Sequence, residues 1–321
     1  MKHIKLFTIF VFIGFFMAAC GGGGDGGGES AVTYTGKTTQ AEVTTANSGK
    51  LASEVQEFGG GLDDAAFPLK PGGHPRQTHL QAVHVIQWLE SSVLNERGLL
   101  SANKPVQVDP PLSENGNCGG NFVATGTIDD VTLDFDLTIR FNNYCNNGTT
   151  VSGAITATGS ATVFGDINIS NMTMENLTVQ DSVSSFSMNG SLVVHSQSVS
   201  SSDITMNMMI RNNASGKTVK IENYRVTETN VPGGIRTSIS GRFFSPDEGF
   251  VDVSTPTPFF TAFGNTFPSS GVLEITGSNG AKAQLTALDA SQFRLEVDAD
   301  ANGTFESTTT ELWENLETVT F

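Results

Sequence analysis

Charge is scarce in this chain, and positive charge is scarcest. Only 16% of the 321 residues are charged, and 33 acidic side chains outnumber 17 basic ones for a net charge of −16. A surface of that sign repels phosphate backbones, so nucleic acid is not an expected partner, and broad contact with anionic headgroups is disfavoured. Cysteine is rarer still, at three residues. No Cys-x-x-Cys-His occurs, which excludes c-type haem. Gly-x-Ser-x-Gly, His-Glu-x-x-His, a P-loop and a dinucleotide-binding glycine fingerprint after a strand are all missing. No catalytic residue is therefore assigned, and the expectation is a protein that is not an enzyme and has no obligatory cofactor. Past residue 16 there is no further long apolar run, so no later segment reads as a membrane-spanning helix. No repeat of fixed length is visible, which argues against a propeller or solenoid.

What is present begins with an export signal. Lys2, His3 and Lys5 make a basic start, and residues 6–16 are almost wholly apolar. That run is too short to cross a hydrocarbon core of about 30 Å, but suits the apolar region of a signal peptide. It leads into Met17-Ala18-Ala19-Cys20, which resembles the lipobox of bacterial lipoproteins, with Met17 where Leu is usual. The resemblance implies removal of residues 1–19 and diacylglycerol on the Cys20 thiol. Residues 20–30 then form an acylated cysteine and a tether, because Gly21–Gly28 is glycine except for Asp25 and can bury nothing. Each buried acyl methylene contributes roughly 0.8 kcal/mol, so several chains make the membrane a lasting partner. Gly21 stands where an Asp favours retention in the inner membrane, and the resemblance therefore implies the outer membrane.

With Cys20 acylated, Cys118 and Cys145 remain, an even pair that reads as a disulfide in an exported protein. In the loop-entropy model the loop they enclose stabilises by roughly 3–4 kcal/mol.

Residues 31–117 read as helix and loop. A short helix follows Thr44 or Thr45 and ends at the glycines from Gly59, with Leu51 and Val55 four apart on one face. Residues 78–94 carry the strongest helical pattern, with Leu80, Val83, Ile86 and Leu89 at helical spacing. From residue 118 to 321 the period changes to two. Phe135, Leu137, Ile139 and Phe141 alternate with Asp136, Thr138 and Arg140, and later segments repeat the pattern between Asn- and Gly-rich turns. Val219 and Ile221 change parity to Tyr224 and Val226, as a β-bulge requires. The expected fold is mainly β: an antiparallel meander of roughly eleven to thirteen strands. One face is apolar, so the sheet must curl on itself, as a partly closed barrel or sandwich, or be covered by the helix over 78–94.

Among candidate sites, Asp298-Ala299-Asp300-Ala301-Asn302-Gly303 resembles the opening of an EF-hand calcium loop. Position twelve would be Thr309 instead of Glu, and the flanks are strands. Asp298, Asp300 and Asn302 are therefore a calcium candidate, with a polar hairpin turn the favoured reading. His79 and His84 would lie about 140° apart on a helix and cannot chelate together. His74 belongs to a loop, and His195 stands alone in a strand. Asp63-Asp64 and Asp129-Asp130 suit turns. Met172, Met174, Met188, Met206, Met208 and Met209, with Phe243, Phe244, Phe250, Phe259, Phe260, Phe263 and Phe267, suit a core, and alternatively a lipid-binding concavity.

The segment Gly216–Tyr224 and the stretch from Ser240-Gly241-Arg242-Phe243-Phe244 to Thr255-Pro256 resemble a group of uncharacterised glycine-tethered lipoproteins of proteobacteria. The resemblance covers residues 118–315 and implies envelope location and a β-rich body, without an activity or site residues. The expected function is a lipid-anchored, non-enzymatic binding or structural domain whose partner, a protein or an apolar ligand, the sequence does not identify. The alternative is a carrier for an apolar ligand.

Overall fold

Alternation predicts a sheet with one dry face, and that sheet is what a computed structural model of the chain contains. Residues 32–59, 106–107, 112–129, 132, 134–161, 167–198 and 201–316 are described. The signal segment, Cys20 with its tether, the helix expected over 78–94, His74, His79, His84 and Asp63-Asp64 lie outside the described residues.

An N-terminal strap, residues 32–47, leads to helix α1 (Ser48–Gly59). Then follow β1 (Val106–Gln107), β2 (Leu112–Asn115), β3 (Gly119–Ile128), β4 (Asp134–Asn146), β5 (Thr149–Ala161), β6 (Ile167–Gln180), β7 (Ser185–Ser198) and β8 (Ser201–Asn212). The second half holds β9 (Thr218–Val231), β10 (Gly234–Ser245), β11 (Gly249–Ala262), β12 (Ser270–Thr276), β13 (Lys282–Ala287), β14 (Gln292–Asp298) and β15 (Ser307–Leu312). All 15 strands belong to one sheet, a meander from β3 to β15 in which each strand pairs antiparallel with its chain neighbours. β1 and β2 both pair with β3, and among the described residues the sheet does not close. The count exceeds the sequence expectation partly because β1 and β2 are too short to carry a periodic signal. The described residues fall within one compact unit, Ala31–Phe321.

The dry face follows the sequence parity. Along β4, Phe135, Leu137, Ile139 and Phe141 are buried while Asp134, Asp136 and Arg140 are exposed. Met172, Met174, Met188, Met206 and Met208 are buried in the same continuous core, as are Phe243 and Phe259, so these side chains pack a core. Phe263 departs from that group, being 64% exposed in the turn after β11.

The long strands are creased. Asn143, Asn176 and Asn223 take φ of 50, 47 and 48°, and the strand registers shift beside each of them. Bulges of this kind bend a strand and raise its twist. Neighbouring side chains secure them: Asn189 Oδ1 accepts the N–H of Asn176, and Asn207 Oδ1 accepts that of Asn223 at 2.8 Å. On the adjoining strand the crease demands glycine. A Cβ on Gly153 (φ +106°) would lie 2.2 Å from the Asn176 carbonyl oxygen, and one on Gly241 (φ +132°) 2.5 Å from that of Asn223. The parity switch between Ile221 and Tyr224 is one member of this row.

The described helix that covers the dry face is α1. Leu51, Ala52 and Val55 are fully buried, and the helix packs on β10, β13 and β14. The Tyr224 hydroxyl donates to the Val55 carbonyl at 2.9 Å, tying it to β9. The strap approaches along the start of β11, with backbone bonds Ala41 to Phe250 and Phe250 to Thr39, then reaches Ser278 beyond β12. β11 itself continues through Pro256 and Pro258, where alternation alone ends a strand at Val253. The missing prolyl N–H groups fall where the register to β12 shifts, and Thr255 Oγ1 bonds both the N–H and the carbonyl of Ile239 at 2.9 Å.

Candidate functional site

The C-terminal hairpin is where the sheet remains open. β14 buries Phe293, Leu295 and Val297, which pair with Glu311, Thr309 and Ser307 of β15. On the same face, therefore, an apolar strand is followed by a polar one. A groove of about 290 Å³ lies there. Its floor is Phe293, Leu295, Val297 and Leu316; one wall is Thr45, Ala46, Ser48, Gly49 and Lys50, ahead of and within the first turn of α1, and the other is Ser307, Thr309 and Glu311. An apolar floor within a polar rim is how small-ligand and side-chain pockets are built, although this one is at the small end of their range.

The calcium candidate forms the turn of this hairpin. Asp298 is 6% exposed and its carboxylate accepts the N–H groups of Asn302 (3.1 Å) and Gly303 (2.9 Å). Asp300 accepts from Asn302, Asn302 Oδ1 accepts from Thr304, and Glu306 Oε2 accepts from Ala299 at 2.7 Å. Ala301 and Gly303 have positive φ, as a tight turn requires. One carboxylate oxygen from each of Asp298, Asp300 and Glu306 lies within 4.8 Å of the others, a spacing that could hold a hard cation. Glu306 is the acid the sequence pattern did not include; Thr309, at position twelve, lies on the groove wall. The backbone bonds give these oxygens a structural role without any ion.

A second constellation has no motif. Glu54 is fully buried in α1, and neither of its carboxylate oxygens has a hydrogen-bond partner. Lys50 Nζ approaches to 3.9 Å, and the buried, equally unpaired Oγ of Ser245 adjoins it. Burial pushes the Glu54 carboxyl up to about 7; Ser245 and Lys50 oppose the shift, while Asp247 and Glu248 add to it. Tyr34 from the strap donates to the carbonyls of Lys37 and Ser245. Burial, with Glu54 and Asp247 nearby, raises its phenol to about 12. Lys50 also reaches Asp247 (3.1 Å) and Glu248 (3.3 Å) in the β10–β11 turn, and Lys217 holds Asp247 below the usual carboxylate range. Strap, helix and hairpin meet at this node. Residues near 34, 54 and 245 converge only in three dimensions, and a lone Glu in an amphipathic helix gives no local sign of it.

The remaining candidates separate. Cys118 and Cys145 form a disulfide between the turn before β3 and the end of β4. His195 lies exposed on β7, its Nε2 2.9 Å from Thr205 Oγ1. Asp129 Oδ1 accepts the N–H of Thr132, a turn role. On the solvent face, Thr125, Thr138, Thr156, Thr173, Ser191 and Asn207 stand opposite one another on β3 to β8, a continuous hydroxyl and amide row. No protein-family model matches the chain, and no curated protein or solved structure matches it either.

Proposed function

We propose that the protein is a lipoprotein of the bacterial envelope, anchored by acylated Cys20 in the outer membrane, whose body is a non-enzymatic binding or structural domain. One observation carries the reading: of the three cysteines, Cys118 and Cys145 are joined to each other, which leaves Cys20 as the one outside that pair. A disulfide suits an oxidising compartment, and Cys20 stands between an apolar segment and a glycine run. The body supports display over catalysis. Its dry face is packed, and its wet face is a broad, charge-poor sheet of Ser, Thr and Asn. The test is metabolic labelling with an alkynyl fatty acid, followed by membrane fractionation. Label and outer-membrane recovery are expected for the wild type and lost in Cys20→Ser. An unlabelled wild-type chain would overturn the anchor.

A second reading is carriage of an apolar ligand, which would meet Phe293, Leu295, Val297 and Leu316 in the groove. Displacement of a fluorescent fatty acid, abolished by Leu295→Lys, supports it; no binding by the wild type removes it.

A further inference from the structure

The two ends of the sheet are finished differently. At one end β3 carries β1 and β2 along its outer edge. At the other end β15 pairs with β14, and among the described residues no strand pairs with its far side. The Trp313 N–H donates to the Ser291 carbonyl at 3.0 Å, and this bond sets the parity of the ladder. Antiparallel alternation then assigns the backbone groups of Ser307, Thr309 and Glu311 to β14, and turns those of Thr308, Thr310 and Leu312 outward. Natural sheets blunt such edges with lysine, proline or a bulge. β15 reads Ser-Thr-Thr-Thr-Glu-Leu, its register is unbroken, and residues 308–312 are exposed.

What surrounds the edge narrows the partner. The groove runs beside it, walled on this side by the small Ser307 and Thr309, so a long apolar side chain on an added strand can lean over them towards Phe293 and Leu295. Glu306 and Glu314 flank the strand and Glu311 lies within it on the groove face, all exposed. A second copy would bring the same acids and a further net charge of −16, which opposes self-pairing.

We propose that β15 accepts an extended, basic segment of another polypeptide as an added strand. Its backbone pairs with Thr308, Thr310 and Leu312, alternate apolar side chains enter the groove, and its cationic side chains meet Glu306 and Glu314 at the two ends of the strand. The proposal rests on the reading of the body as a binding domain and names the surface and the class of partner.

The probe is a ten-residue peptide of alternating lysine and valine, added to the full chain in detergent, with fluorescence anisotropy and amide hydrogen exchange as readouts. Saturable binding is expected, with exchange at Thr308, Thr310 and Leu312 slowed by about tenfold or more. Thr310→Pro removes an outward N–H and no bond to β14, so it is expected to abolish binding while the melting temperature holds. Thr308→Pro serves the same purpose should Thr310→Pro unfold, and Thr310→Val should bind normally. The same peptide with proline at alternate positions should not bind. No saturable binding or slowed exchange up to about 1 mM peptide overturns the proposal, as does equal binding by the proline variants or the proline peptide. A dimer on sedimentation that Thr310→Pro dissolves would assign the edge to a second copy and equally overturn it. Cys20→Ser should leave peptide binding unchanged, so failure of the anchor and failure of this site are separately visible.

Discussion

β3 to β11 and β12 to β15 solve the same problem in different ways. The first group has strands of 10 to 14 residues, and the registers from β3 through the β11–β12 pair all shift somewhere along their length. The second has strands of 6 or 7 residues joined by registers without a break. A strand of 14 residues spans about 45 Å, far enough that its twist carries the two ends out of line with a common core. Asn and Gly creases bend β4, β5, β6, β9 and β10 where these long strands would otherwise diverge. Short strands need no crease. They have less area to fold over themselves, and α1 covers β13 and β14 as well as β10. Creases are therefore built into the backbone in one region only, while the helix spans the boundary between the two. The free edge, the groove and the buried carboxylate are all next to that helix or its strands.

The contrast can be broken most forcefully in the creased region. Replacing Cys118 and Cys145 by Ser is expected to lower the unfolding free energy by about 3–4 kcal/mol in chemical denaturation, because their link closes the start of that region. The same denaturation series over pH addresses the helix. Glu54 binds its proton near 7 when folded and near 4.5 when unfolded, so its contribution is fully present below pH 4.5 and is lost as pH rises through 7. Glu54→Gln should remove that slope and stabilise the protein at pH 8 by roughly 2–3 kcal/mol. An unchanged slope would show that Glu54 is not what makes the helix pH-sensitive.

Two glycines compare the regions directly. Gly153→Ala forces a side chain against the Asn176 carbonyl as well as into a strained φ, and should cost about 2–3 kcal/mol. Gly303→Ala, with open space around it in the β14–β15 turn, incurs only the backbone penalty of about 1 kcal/mol. Equal losses would mean that the crease tolerates adjustment. The smallest effect belongs to the same turn. Asp298→Asn should cost about 1 kcal/mol, with or without calcium, because the carboxylate already caps two N–H groups. A melting temperature that rises with millimolar calcium in the wild type alone would make the turn a cation site.

Much of the sheet could be read from residues. The alternation in β4 is legible because each apolar side chain has one dry face to meet, and the parity switch from Ile221 to Tyr224 marks a bulge for the same reason. The helix at Leu51 and Val55 was legible from their spacing. Pro256 and Pro258 misled, since their place in a strand depends on the Thr255 hydroxyl standing in for backbone partners. The groove and the Glu54 node were beyond local reading. Each joins the first described residues to strands from the far end of the chain, and no periodicity encodes which distant strand a helix will meet. In the calcium candidate, Asp298 and Asp300 are joined by Glu306, which the return of the hairpin brings to them, while Asn302 Oδ1 accepts from Thr304.

The unbroken path from β3 to β15 also sets an order of assembly. Each strand needs only its chain neighbour, so hairpins can close in succession as the chain arrives, with little loop entropy lost at each step. The strap and α1 are the exception. They appear before every strand yet dock on β10, β11, β13 and β14, with Gln40 meeting Phe250. The earliest described segment of the chain must therefore wait for some of the latest, and its docking covers part of a sheet whose other contacts are already made.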